Sequence, residues 1–102
     1  SKQENNMGKP AGRLGDQHCG HSCFPPTSLV SASGNVKINQ KGAMRVGDSY
    51  QPHCCGPSCH GVTQASGSST VIINGKPAGR LGDSTACGAT VISGSGNVIV
   101  GG

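Results

Sequence analysis

Within the eleven residues from Gln51 to Gly61, five side chains (His53, Cys54, Cys55, Cys59 and His60) can each bind a transition metal. No ordinary core or turn needs that density. A structural zinc takes four Cys or His ligands in a tetrahedron, because a filled d shell imposes no other geometry. Two further supplies exist: His18, Cys19, His21 and Cys23 upstream, and Cys87 alone downstream. All six Cys and all four His therefore lie in three places. The chemistry they suggest is a closed metal site, provided the fold brings those places together.

The elements that must do so are repeats. Gly8 to Asp16 reads Gly-Lys-Pro-Ala-Gly-Arg-Leu-Gly-Asp and returns unchanged at Gly75 to Asp83, with a degenerate copy at Lys41 to Asp48 between them. A second element, Ser33 to Asn39, recurs at Ser68 to Asn74 and at Ser95 to Gly101. Three copies of one unit make up the chain. His21 and His53 each stand five residues after the Asp that closes their copy, and Cys87 stands four after its own. Copies arranged about a pseudo-threefold axis bring these three side chains together on it.

The fourth ligand lies outside that symmetry and is assigned to His60, in the long insertion of the middle copy. Cys55, Cys54, His18 and Cys23 are the alternatives. Otherwise His18, Cys19, Cys54 and Cys59 read as outer or surface residues. Cys23 and Cys55, each seven residues after its Asp, are equivalently placed, to pair or to lie adjacent. A pure disulfide framework, the competing reading for a small loop-rich chain, gives no reason for every His to sit beside the Cys.

Composition makes a metal useful. Of the 102 residues only 32% are apolar, with one Phe, one Tyr and no Trp, against about 45–50% apolar in an average soluble domain. A single domain over 7–102 is expected, after a polar, disordered lead-in over 1–6. A core this poor depends on a metal, disulfides or a partner, and structural zinc supplies roughly 10–16 kcal/mol of apparent binding energy that appears as folding energy.

The net charge of +4 comes from scattered Lys, because Arg13, Arg45 and Arg80 each precede Asp16, Asp48 and Asp83 by three residues and are expected to brace the Gly-Asp turns. Without a basic stripe or aromatic platforms, nucleic-acid binding is not expected. Catalysis is not expected either: the only acids are Glu4 and the three repeated Asp, so no carboxylate is spare to orient a Cys-His pair. No apolar run approaches the roughly 20 residues of a membrane span, and no signal peptide is seen. Synthesis in the cytoplasm is therefore expected.

The longest interval free of Gly and Pro is seven residues, too short for ordinary helices of about 11–12. The fold class expected is all-β, with almost no helix. Val36 and Ile38, Val71 and Ile73, and Val98 and Val100 alternate in step, which places them on one buried face with Lys37, Ile72 and Ile99 opposite. Each strand runs into Asn39-Gln40, Asn74-Gly75 or Gly101-Gly102, residues that tolerate positive φ. Three such β-hairpin pseudo-repeats around the axis make a small cone.

Taken with Thr85-Ala86-Cys87-Gly88 after the last copy, the doubled nine-residue motif resembles the PAAR-repeat family, over nearly everything from Met7 onward. The segments Gly20 to Pro26 and His53 to His60 resemble the branch found in phage-like and secretion proteins. The resemblance implies a sharp tip that caps the trimeric β-helical spike (VgrG) of a type VI secretion system, one chain per trimer, or the spike of a contractile phage tail. It also implies one zinc near the apex, held in the type case by three His and one Cys. By the same resemblance, toxin effectors are candidate partners, and the target membrane is expected to be met transiently as the spike is delivered outside the cell or into a target cell. The family departs here in two ways. Gly12 and Gly79 stand where its motif has a second Ala, with Met44 in the middle copy, and Leu81 stands where many members have a ligand His. As it stands the chain resembles members with no fused toxin domain. A disulfide-stapled secreted binding domain is the alternative of another class.

Overall fold

The computed structural model describes residues 8–102. The expected lead-in over 1–6, and Met7 at the head of the expected domain, lie outside the described residues. Eight short strands and many isolated bridges carry the architecture, and no helix occurs among the described residues. The all-β expectation is met.

Strands β2 (Lys37–Ile38) and β3 (Lys41–Gly42) form one antiparallel hairpin, and β6 (Ile72–Ile73) and β7 (Lys76–Pro77) a second. Their two-residue turns have left-handed φ at both positions, +53° and +70° at Asn39 and Gln40, and +55° and +79° at Asn74 and Gly75. That geometry matches the right-handed twist of the flanking strands. The third unit differs from the sequence expectation, which ran the last strand into a turn at Gly101-Gly102; the first motif copy and that strand stand at opposite ends of the chain. In the structure these two ends pair with each other: β1 (Lys9–Pro10) lies antiparallel to β8 (Ile99–Val100), closing the third hairpin across the whole length of the chain.

The three motif copies bond in a closed cycle. Gly12 N–H donates to Gly79 O at 2.9 Å, Gly79 N–H to Met44 O at 2.9 Å, and Met44 N–H to Gly12 O at 3.0 Å. Two residues further on, Leu14, Val46 and Leu81 donate in the opposite sense round the ring, to the carbonyls of Gly42, Pro77 and Pro10 respectively. Each copy thus satisfies its neighbour's backbone, and no motif strand is left as an open edge.

Two small cores result. Ala11, Ala43 and Ala78 pack with Ile38, Ile73 and Val100, against which Val36, Val71 and Val98 lean. Lys37, Ile72 and Ile99 face outward, so the alternation read from sequence holds. The other core gathers Leu29, Met44, Tyr50, Val62 and Val91, with Cys87 against it. Buried Tyr50 donates its hydroxyl to Gln64 Oε1 at 2.6 Å, and burial raises its pKa well above the ordinary phenol value.

Each Arg binds its Asp through two nitrogens, at 3.0 and 3.1 Å for Arg13 and Asp16, 3.0 and 2.8 Å for Arg45 and Asp48, and 2.9 and 3.0 Å for Arg80 and Asp83. The remaining Nη1 reaches the next unit, at the turn residues Asn39 Oδ1 and Asn74 Oδ1 for Arg13 and Arg45, and at Gly101 O, just past β8, for Arg80. Every guanidinium therefore ties its own Gly-Asp turn to a neighbouring hairpin. Arg80 is the most buried of the three, with its side chain 6% exposed, and the hydrogen bonds it donates to Asp83 hold its pKa above the ordinary value against the pull of burial. Arg80→Ala leaves Asp83 charged and buried without its partner, an expected loss of about 3 kcal/mol. Thermal melting should fall by roughly 10–20 °C; an unchanged melting temperature would show that the pair does not brace the fold.

The middle copy's insertion is a hairpin rather than an irregular loop. Strands β4 (Ser49–Cys55) and β5 (Ser58–Thr63) pair in register at Ser49 with Thr63 and Tyr50 with Val62. After an irregularity the register resumes at His53 with His60, Cys54 with Cys59 and Cys55 with Ser58. Gln51 and Pro52 together oppose Gly61, the two-against-one count of a β-bulge. Pro52 has no N–H to give a ladder, so the bulge falls where pairing is weakest.

Candidate metal centre

That register puts His53 and His60 directly opposite each other on one face of the hairpin. Their ring centroids are 4.4 Å apart and their Nε2 atoms 3.1 Å apart. The other nitrogen of each ring is already committed. His53 Nδ1 lies 2.8 Å from Pro25 O, and His60 Nδ1 lies 3.0 Å from Gly61 O. A carbonyl only accepts, so both Nδ1 atoms carry the proton and both Nε2 atoms present lone pairs. Two facing lone pairs at this distance repel unless a cation lies between them. Two nitrogens on a tetrahedral zinc are about 3.3 Å apart.

His21 supplies the next nitrogen. Its loop closes on itself through paired backbone bonds between His21 and Phe24, helped by Ser22 at φ +53°. His21 Nε2 is buried without a hydrogen-bond partner, the one such side-chain nitrogen or oxygen among the described residues. Its ligand atom, that of His53 and Cys87 Sγ all lie within 4.8 Å of one another. His60 stands outside that mutually close set and joins it through His53. Cys87 is a free thiol, 3.2 Å from the hydroxyl of buried Thr85, which can donate to a thiolate.

The mutually close donors, the nitrogens of His21 and His53 and the sulfur of Cys87, could hold a metal ion, and His60 Nε2 stands beside that of His53. Phe24, the one Phe of the chain, packs 4.9 Å from the His53 ring and 4.5 Å from that of His60. It shields the cluster on one side. Phe24, the Pro25 and Gly61 carbonyls and Thr85 were not singled out from sequence; a lone Phe inside a Cys/His segment was the available signal.

The alternative ligands are displaced by specific contacts. Cys23 pairs with Cys55, and Cys54 with Cys59, as disulfides, so Cys23, Cys54 and Cys55 have no thiolate to offer. The three Cys/His places thus hold both disulfides and a His/Cys cluster able to take a metal ion. His18 is fully buried, not an outer residue. Its Nδ1 accepts from Gly20 N–H at 2.8 Å, which leaves Nε2 to donate to Thr27 Oγ1 at 2.8 Å. With both nitrogens engaged it has no lone pair free for an ion. Burial, and then the neighbouring His53 and His21, lower its pKa, so the neutral ring is favoured. Cys19 is a free, exposed thiol.

The family model described as PAAR motif matches residues 19–93. The chain is 45% identical over 80 residues to the NAD(P)(+) glycohydrolase toxin Tse6 of Pseudomonas aeruginosa strain PAO1, a match covering 72% of this chain and 19% of that protein. It is equally 45% identical over 80 residues to the (p)ppApp synthetase toxin Tas1 of Pseudomonas aeruginosa strain UCBPP-PA14, covering 72% of this chain and 18% of that one. The chain thus spans about a fifth of the length of the curated relatives it matches. The family model covers most of the chain, the Cys/His segments from Cys19 onward included, and the chain belongs to the PAAR motif family.

Proposed function

We propose that the chain is the structural tip of a membrane-puncturing spike, seated one per trimer on a VgrG-type β-helical protein of a type VI secretion system. The observation that carries the reading is the closed cycle Gly12, Gly79, Met44. A single chain that presents three equivalent edges can meet the threefold end of a trimer with all three satisfied, as a symmetric interface requires. At matched outward positions the strands offer Ile72 and Ile99, 56% and 55% exposed, with Lys37 as the third. These are the residues proposed to bear on the spike.

Zinc, one ion per chain, is proposed at His21, His53, His60 and Cys87. Bound there, it supplies a cross-link of fixed tetrahedral geometry. The chain's own residues hold the donors ready: Pro25 O and Gly61 O orient two rings, Thr85 faces the sulfur, and Phe24 excludes water. The ligands come from segments following all three motif copies, so one site ties the three together where little apolar core exists. Rigidity at a narrow end is what a puncturing device needs, and the fold provides it without a catalytic group. No helix among the described residues is long and apolar enough to cross a membrane. The named relatives are toxins much longer than this chain, which fits a tip that travels with an effector.

Mixing the chain with a trimeric VgrG-type protein and weighing the complex by native mass spectrometry tests this. One chain per trimer is expected, with binding weakened at least tenfold by Ile72→Asp together with Ile99→Asp. Three chains per trimer, or no complex, would refute the capping role.

A further inference from the structure

We propose that the two disulfides are a redox-controlled lock on the metal cage: oxidised, they hold three of its four ligands in place, and reduced, the same cage binds its metal more weakly. The inference rests on the zinc site proposed above. Cys23 stands two residues after His21 and Cys55 two after His53, and their bond joins the loop of the first ligand to the strand of the second. Residues two apart on a strand share a face, so this bridge runs alongside the His21 and His53 pair. The second bridge, Cys54 to Cys59, crosses the hairpin at the position next to the opposed His53 and His60, fixing their register.

Neither bond uses a metal ligand, yet together they connect every His of the site. Only the Cys87 loop is untethered, and its thiol is free for the ion. Cys23, Cys54 and Cys59 are exposed, which leaves both bridges open to thiol–disulfide exchange. Each forms when two thiols give up two protons and two electrons to an oxidising disulfide of the glutathione type, which leaves as two thiols. Such an exchange runs toward reduction in cytosol and toward oxidation outside it. Ligands held by cross-links lose less freedom on binding than ligands on independent loops. Groups that orient ligands without touching the metal typically change affinity about 10- to 100-fold, and that is the size expected here.

Zinc affinity, measured by competition with a chromogenic chelator, tests the lock on four preparations: the oxidised protein, the protein reduced and then freed of reductant under nitrogen, Cys23→Ser with Cys55→Ser, and Cys54→Ser with Cys59→Ser. The last three should each bind about 10- to 100-fold more weakly, while the cobalt-substituted proteins keep one thiolate charge-transfer band, showing the ligand set unchanged. Adding glutathione disulfide to the reduced protein should restore the oxidised affinity; this arm decides the matter even where a Ser variant does not fold. Equal affinity throughout, or tighter binding or a second ion after reduction, would overturn the lock. Failure of the oxidised protein itself to bind zinc would instead remove the site on which the lock acts.

Discussion

His53→Ala should leave the purified chain with almost no metal, against about one zinc per chain in the unsubstituted protein, and should make its melting temperature indifferent to a chelator. The size of the effect follows from how many functions converge on this ring. It is 2% exposed, and its rings of contact are His18, His21, Phe24 and His60, with centroids at 5.2, 5.1, 4.9 and 4.4 Å. Its Nδ1 is held by Pro25 O, and its Nε2 faces that of His60. Truncation removes a donor, leaves a void among aromatic rings, and strands the Nε2 lone pair of His60 and the partnerless Nε2 of His21. A Phe/Trp-sized void in a core costs about 3–5 kcal/mol and an imidazole somewhat less, before the metal's own contribution to folding is lost. Cys19→Ser, at an exposed thiol outside the cluster, is the matched control and should retain metal and melting temperature. Full metal content in His53→Ala would mean that the donors assemble differently from the set argued here.

Much of this site was legible because repeats convert position into geometry. His21, His53 and Cys87 could be matched by counting from a shared Asp, and the structure brings their donor atoms within 4.8 Å. The paired spacing of Cys23 and Cys55 was visible by the same count. The second disulfide was not, because it depends on hairpin register. Cys55 opposite Ser58 across Gly56-Pro57 automatically sets Cys54 opposite Cys59 and His53 opposite His60, but only once the insertion is known to be a hairpin. Nor could counting show that His18 is consumed by Gly20 N–H and Thr27 Oγ1, since that contact is made by a loop whose path carries no periodic signal. The closure of β1 on β8 was hidden for a different reason: a hairpin split between the two ends of the chain has no turn to announce it.

The family's second Ala, replaced here by Gly12, Met44 and Gly79, was visible as a departure and unexplained until the three positions met. They are the three members of the backbone cycle, and Met44 is fully buried among them. A Cβ placed on Gly12 would lie 2.5 Å from Met44 Sδ and 3.0 Å from its Cβ; one placed on Gly79 would lie 2.5 Å from both Cγ and Sδ. One long side chain thus occupies space that three methyl groups would share, and the two glycines are the room it requires. Neither glycine has positive φ, so their small size, not backbone freedom, is what the site demands. In open space Gly→Ala at such a backbone stabilises by about 0.4–1 kcal/mol; here overpacking of about 1–3 kcal/mol per site reverses the sign. Gly12→Ala with Gly79→Ala should therefore lower the melting temperature by roughly 10 °C or more. Met44→Ala alone should cost about 2–5 kcal/mol through the cavity it leaves. Combining all three restores one methyl group at each position of the cycle, and stability should return to within about 1 kcal/mol of the starting chain, a coupling far beyond additivity. Additive losses in the triple variant would show that the three residues do not share one space.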